Sequence, residues 1–437
     1  MSKLSFIDLF SGCGGLSLGL SLAGLQGVFA VERDPMAFET FSDNFLGQRR
    51  VPITKFAWPR WLEQRAWPID DLLAKHRTEL LQMRGGVDIL GGGPPCQGFS
   101  FAGKRQESDP RNMLFQKYVQ VVDAIRPKAI VLENVPGMQV AHRCKQGAKN
   151  ECIRSNESFY DKLKTSLEAI GYQVDGRIVD ASTFGVPQKR SRLVVIGLRT
   201  ELAGRLPGSI DRAFKLLDET RLKLLRDMGF HEGVVSAGDA ISDLLIEGKS
   251  RKACLDLFSA GFEEIIYPGP RTPYQKQMHK HCRDNEMDSM RLARHTKVVQ
   301  ERFRMILQEC NRGVIMSKAS RERFGLKKHR IHPMAANVPA PTITTLPDDV
   351  LHYEEPRILT VRESARLQSF PDWFRFKGKY TTGGPMRTKE CPRYTQVGNA
   401  VPPFLGWAIG LAIKAALAEA GQTKQVEQPG IRNRIAA

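Results

Sequence analysis

The sequence predicts an α/β fold: a mostly parallel sheet with helices on both faces, joined to a smaller mixed domain. Three observations predict it. Short apolar runs alternate with helical patterns over the first 200 residues. Those runs end in glycine, proline or polar residues rather than in hairpin turns. And 437 residues are too many for one simple core. Strands separated by helical segments imply parallel pairing with crossover helices.

The elements follow in order. Phe6–Phe10 reads as a first strand and ends in Ser11-Gly-Cys-Gly-Gly15, after which Leu16, Leu18, Leu20 and Leu22 begin a helix. Val28–Val31 is a second strand. Val87–Leu90 runs into Gly91-Gly-Gly-Pro-Pro95, and Ala129–Leu132 runs into Glu133-Asn-Val-Pro136. Leu193–Ile196 is a further buried-type strand. In such sheets ligands lie beyond the carboxyl ends of the strands, where these polar and glycine-rich segments fall. Residues 199–330 lack the alternation. From Val361 to Gln368 the chain reads as helix, then as a loop rich in Gly, Lys and Arg, then as a final apolar helix from Phe404 to Leu417. Residues 139–157, with Cys144 and Cys152, read as a mobile insertion.

Composition narrows the function. The chain carries 65 Lys+Arg against 47 Asp+Glu, a net charge of +18, which points to a polyanionic partner. Residues 199–330 hold 26 Lys+Arg and 18 Asp+Glu, so +8 falls on this segment, at about twice the density of the rest. A hydrophobic content of 41% excludes wholesale disorder. No apolar run approaches the ~20 residues of a bilayer span, and the N-terminus has no signal-peptide pattern. Eight cysteines without a CxxC pair fit a reduced, cytosolic enzyme. His279, His281 and Cys282 lie close together, but without a partnering pair they predict no zinc site.

Several side chains carry chemistry. A glycine-rich turn after a first strand lets backbone approach a ligand, and Glu32, 20 residues after Gly12, has the spacing of an acid that binds the ribose of an adenosine-type cofactor. Cys96 follows two prolines at a strand end, where a rigid backbone presents a thiol; a thiol must be activated to serve as a nucleophile. A carboxyl such as Glu133 in a dry site can be held protonated and donate a hydrogen bond. Arg190 and Arg192, two apart on an extended segment, share a face and can meet an anion or a carbonyl oxygen.

Taken together, Phe10-Ser-Gly-Cys-Gly-Gly15, Glu32, Pro94-Pro-Cys96-Gln, Asp109-Pro-Arg-Asn112, Glu133-Asn-Val135, Gln188-Lys-Arg190-Ser-Arg192, Pro341-Thr-Ile-Thr344 and Gly398-Asn-Ala-Val-Pro402 closely resemble the DNA cytosine-5 methyltransferases of bacterial restriction–modification systems. The resemblance runs from Phe6 to about Gly410 and leaves only the middle segment unmatched. It implies the Rossmann-like fold of S-adenosylmethionine-dependent methyltransferases. It also implies a catalytic and cofactor-binding part (1–198), a target-recognition domain (199–340), a C-terminal part returning to the catalytic domain (341–420) and a disordered tail (421–437). By the resemblance, Cys96 adds to carbon 6 of cytosine, Glu133 hydrogen-bonds ring N3 and the exocyclic amine, and Arg192 with Arg190 contacts O2. The base that removes the C5 proton is not identified. Phe10, Ser11, Gly12, Cys13, Gly14, Gly15, Glu32, Asp70, Pro94, Asn399 and Ala400 would surround S-adenosylmethionine, Phe10 at the adenine ring and Glu32 at the ribose. Gln97–Asn112 has the composition of a mobile basic loop that closes on a flipped-out cytosine.

The implied partner is double-stranded DNA. A cognate restriction endonuclease without an obligatory complex, a monomeric state, a bacterial cytoplasmic location and no metal complete the expectation. Two departures stand out. Pro68 precedes Ile69 where the family has an aspartate for the adenine amino group, leaving Asp70 or Asp71 for that role. Phe101-Ala102 is apolar where the closing loop can fill the space left by the base. Candidate DNA contacts in the middle segment are Arg271, Thr272, Lys276, Arg283, Arg291 and Arg294. A transfer-RNA methyltransferase of the same fold, whose middle domain tends to be smaller, and a catalytically inactive DNA-binding relative are the alternatives.

Overall fold

A computed structural model describes residues 3–48, 53–95, 114–140, 157–230, 234–282, 287–326, 330–384, 386 and 389–426. Cys96, the segment Gln97–Asn112 with Phe101-Ala102, Cys144, Cys152, Arg283 and the last residues of the tail lie outside them.

Six strands form one sheet: β1 (Ser5–Leu9), β2 (Gln26–Val31), β3 (Ile89–Gly92), β4 (Ala129–Asn134), β5 (Tyr172–Asp180) and β6 (Ser191–Arg199), in the order β2-β1-β3-β4-β6-β5. All pairings from β2 through β4 are parallel, while β6 runs antiparallel to both β4 and β5. Strand side chains alternate between two cores. Phe6, Ile89, Ala129, Val131, Val194 and Ile196 join one cluster. Ile7, Leu9, Leu90, Ile130, Leu132, Leu193 and Val195 join the other. Both faces are covered, which is why these strands read as continuous apolar runs. β5, more exposed along its length, was not legible as a strand.

Helix α1 (Gly15–Leu22) lies on the first face against the long final helix Pro403–Val426. The two backbones approach so closely that a Cβ on Gly19 would collide with Gly406 and the Trp407 nitrogen. The final helix thus packs on the first crossover helix, although the two are nearly 400 residues apart. By length and composition one helical stretch, Arg393–Gln422, is apolar enough to cross a membrane, which corrects the reading that no run comes near this length. However, 72% of its apolar window is buried inside the protein. That apolarity is used in the core.

The helix Ile210–Asp227 packs on the same face, with Arg212 paired to Glu419 at 2.8 Å and the Thr220 hydroxyl donating to the Ala408 carbonyl at 3.3 Å. Further along, the described residues of the middle region form a small sheet, Arg251–Ala253 with Glu263–Ile265, a short pairing of His332–Pro333 with Val350–Leu351 beyond it, and a separate apolar cluster around Phe303, Ile306 and Met316.

Candidate active site

The chain moves from β1 to β2 on one side and returns to β3 on the other, so the strand order reverses between β1 and β3. A crevice opens at such a point, beyond the carboxyl ends of the strands. Parallel register sets Leu9 beside Gly92 and Gly92 beside Leu132. The next residues in each strand, Phe10, Gly93 and Glu133, therefore lie side by side along the crevice.

Phe10 has φ of 60°, an uncommon conformation for a bulky residue. The twist carries its ring to the second core, away from Phe6 and Asp8, whose face it would otherwise share. The Ser11 hydroxyl is buried without a hydrogen-bond partner among the described residues, and the space beside Gly12 is open. Glu32, just past β2, accepts hydrogen bonds from the Gly12 amide (3.0 Å) and the Asp34 amide (2.7 Å). Burial pushes its carboxyl above the usual range, and those two amides draw it back.

The rest of the turn faces protein. Cys13 is buried, its thiol 3.7 Å from the Gln396 carbonyl oxygen, and burial raises it to about 12. Gly14 packs on Phe45. Gly15 is required for contact: a Cβ there would collide with the Val401 carbonyl oxygen. These three side-chain positions are spent on packing, which leaves Phe10, Ser11 and Gly12 as the part of the turn beside open space. That same contact brings Ala400 and Val401 beside the turn, although they are 385 residues away in sequence. Asn399, exposed, ends the helix Arg393–Asn399, which the sequence reading missed.

Asp70 sits in the first turn of the helix Ile69–Lys75, where its exposed carboxylate pairs with Lys117 at 2.9 Å. That is a correction to its expected place against the adenine ring. Beside it, the Trp67 amide donates to the Glu32 carbonyl at 2.7 Å and ties this segment to the crevice.

The buried Glu133 and the largely covered Arg192 form an ion pair at 2.8 Å. In the antiparallel register Glu133 faces Val194, so Arg192 is its diagonal neighbour on the same face. Asn134 donates to the Pro94 carbonyl at 2.9 Å, fixing the chain two residues before Cys96.

Arg190 corrects the expected pairing of two arginines on a base. It is buried, and its hydrogen bonds run to the Gln188 amide oxygen and to the carbonyls of Ile343, Gly398 and Ala400. Burial, with the Arg192 cation nearby, holds its guanidinium well below the usual range. Two residues escaped the sequence reading. Asp8, on β1, accepts a 2.6 Å hydrogen bond from Ser17, and burial pushes it up to about 7. Gln368 donates to the Val397 carbonyl at 2.8 Å. Asp8 stands in no pattern that marks it, and Gln368 ends the segment read as helix from Val361 without being singled out.

In the middle segment, Thr272 caps the helix Pro273–His279, and Arg291 is stacked 3.8 Å from the centre of the Tyr380 ring. Both are committed to structure. Arg271, Lys276 and Arg294 are exposed. His279, Cys282 and Asp372 place one ligand atom each within 4.8 Å of one another. Asp372, however, is held by Arg366 (2.7 Å) and by His279 (3.0 Å).

A family model described as C-5 cytosine-specific DNA methylase matches residues 4–415. The type II methyltransferase M.DdeI of Desulfomicrobium norvegicum is 31% identical, over 93% of this chain and 87% of the relative. M1.HphI of Haemophilus parahaemolyticus is 30% identical, over 94% and 87%. A solved chain from Escherichia coli, described as a DNA modification methyltransferase encoded within a prophage, superposes with a TM-score of 0.62 at 26% identity, covering 95% of this chain and all of that one.

Proposed function

The chain belongs to the C-5 cytosine-specific DNA methylase family, and we propose that it methylates carbon 5 of a flipped-out cytosine within a fixed duplex sequence, as the modification half of a bacterial restriction system. The observation that carries this reading is the Glu133–Arg192 ion pair at 2.8 Å, next to a Pro94 carbonyl fixed by Asn134. Acid, arginine and the approach to Cys96 meet at one strand-end crevice.

Carbon 5 of cytosine is a weak nucleophile. Addition of the Cys96 thiolate to carbon 6 breaks the ring's aromaticity and moves an electron pair to carbon 5. Glu133, hydrogen-bonded to N3 and the exocyclic amine, offsets the charge that develops on the ring, and Arg192 orients O2. Their ion pair holds both side chains in place before the base arrives. Loss of the C5 proton after methylation, followed by elimination of the thiolate, restores the aromatic ring and frees Cys96. A base stacked in a duplex is out of reach, hence the flipping.

The cofactor pocket fits S-adenosylmethionine: among the described residues it has a buried hydroxyl without a partner at Ser11, open space at Gly12 and a carboxyl group at Glu32. When bound, S-adenosylmethionine supplies the methyl group as an electrophile on sulfonium. Glu32 would bind its ribose, Phe10 would lie against its adenine, and Asn399-Ala400 would wall the same pocket. Arg190 and Asp70 are left out of these contacts.

Cys96→Ser, offered duplex DNA and labelled S-adenosylmethionine, is expected to bind DNA and transfer no methyl group. Label appearing in DNA at the wild-type rate would remove Cys96 from the mechanism.

A further inference from the structure

We propose that Gln188, Arg190 and Gln368 form a positioning clamp that fixes the cofactor-facing turn 398–400 to the strand carrying Arg192. The inference rests on the cofactor reading above and adds a role for three residues outside the crevice. All three side chains are buried, at 0%, 2% and 0% exposure. One Arg190 nitrogen donates to the Ile343 carbonyl (3.1 Å), and the other donates to the carbonyls of Gly398 (2.8 Å) and Ala400 (3.2 Å). Gln188 accepts from the Ile343 amide (2.9 Å) and donates to the Leu367 carbonyl and to the Gln368 side chain, both at 3.0 Å. Gln368 in turn donates to the carbonyls of Val397 (2.8 Å) and Ala400 (3.4 Å).

A buried guanidinium ordinarily draws a carboxylate. Here the nearby carboxylate, Glu133, is paired with Arg192, and the hydrogen bonds of Arg190 go to amide and carbonyl oxygens. A rigid planar fork holds two chain segments in one fixed geometry, whereas a lysine ammonium is a point charge with rotatable donors on a flexible stem. Arg190 lies two residues before Arg192, so the clamp joins the wall of the cofactor pocket to the strand that orients the base. Arg190 is a positioning residue. Its loss should act on the cofactor without DNA present, whereas loss of Arg192 should act on the base.

The test is titration of the full chain with S-adenosylmethionine without DNA, recording stoichiometry and dissociation constant, followed by steady-state kinetics. Arg190→Met and Gln368→Met should weaken binding tenfold or more, and Arg190→Lys should recover part of the loss. Arg192→Met should stay within about twofold of wild type. In the kinetics, Arg190→Lys should raise KM for the cofactor far more than it lowers kcat. General destabilisation would lower the stoichiometry and leave the dissociation constant of the folded fraction unchanged. Wild-type cofactor affinity in the Arg190 and Gln368 variants, with kcat falling as in Arg192→Met, would overturn the clamp and return Arg190 to the base. Should Arg190→Met fail to fold, Arg190→Lys and Gln368→Met decide the matter. A wild-type chain that binds no S-adenosylmethionine overturns the cofactor reading itself.

Discussion

Asp8 in the sheet and Asp372 in the C-terminal region are both 1% exposed, and their carboxyls move in opposite directions. Asp8 meets only the hydroxyl and backbone amide of Ser17 among the described hydrogen-bond partners, and burial pushes it up to about 7. Asp372 meets the Arg366 guanidinium and His279, and although burial opposes ionisation they hold it at about 2. The sheet region is specified by two apolar cores and tolerates an isolated acid by keeping its proton on. Among the described residues, the middle and C-terminal regions have no large shared sheet to align them. They are joined by buried arginines instead: Arg362 to Asp288, Arg366 to Asp243 and Asp372, Arg393 to Asp256. Each of these arginines reaches an acid of the middle segment. Charges so buried are tolerable only when fully partnered, so these pairs fix which segments can meet.

Breaking the charged region should give the largest effect. Arg366→Met leaves Asp243 and Asp372 buried without their cation and should cost about 3–5 kcal/mol in denaturant unfolding; a loss below 1 kcal/mol would deny the cluster its role. In the sheet region the matching lesion is steric. Gly15→Ala drives a methyl into the Val401 carbonyl and should cost about 1–3 kcal/mol, with weakened cofactor binding; an unchanged melting temperature would show that the two termini are not packed as described.

The smallest effect separates the two aspartates by pH. Asp8 binds its proton more tightly in the fold than in the unfolded chain, so its contribution to stability falls as pH rises from about 4 to about 7. Asp8→Asn should flatten that part of the pH–stability curve by at least about 1 kcal/mol, the worth of less than one pH unit. Asp372 binds its proton less tightly in the fold, and its contribution is lost only as pH falls from about 4 towards 2. Equal slopes in wild type and Asp8→Asn between pH 5 and 7 would erase the distinction.

Much of the sheet was readable because local patterns decide it. β1 and β4 were placed within one or two residues by their apolar runs, and their strand ends pointed to the crevice. β3 was placed about two residues early, since Gly91 and Gly92 look like turn yet pair as strand. β5 was missed because its mixed, partly exposed residues carry no alternation. In the site, Glu133 and Arg192 could be named from sequence, but their 2.8 Å pairing depends on the diagonal register of β4 and β6. Arg190 and Arg192 look alike in sequence, and only their surroundings separate them.

The sequence by itself determined the α/β class, the order of the strand-end segments and which side chains to propose as reactive, because periodicity, glycine turns and residue chemistry are local properties. The tertiary structure alone decided which of those side chains face the crevice and which are spent on packing: Gly15 against Val401, Arg190 on the carbonyls of 343, 398 and 400, Asp70 on Lys117. It also decided that the final helix meets the first. Such contacts join residues hundreds of positions apart, and they depend on burial and backbone approach, which no local pattern encodes.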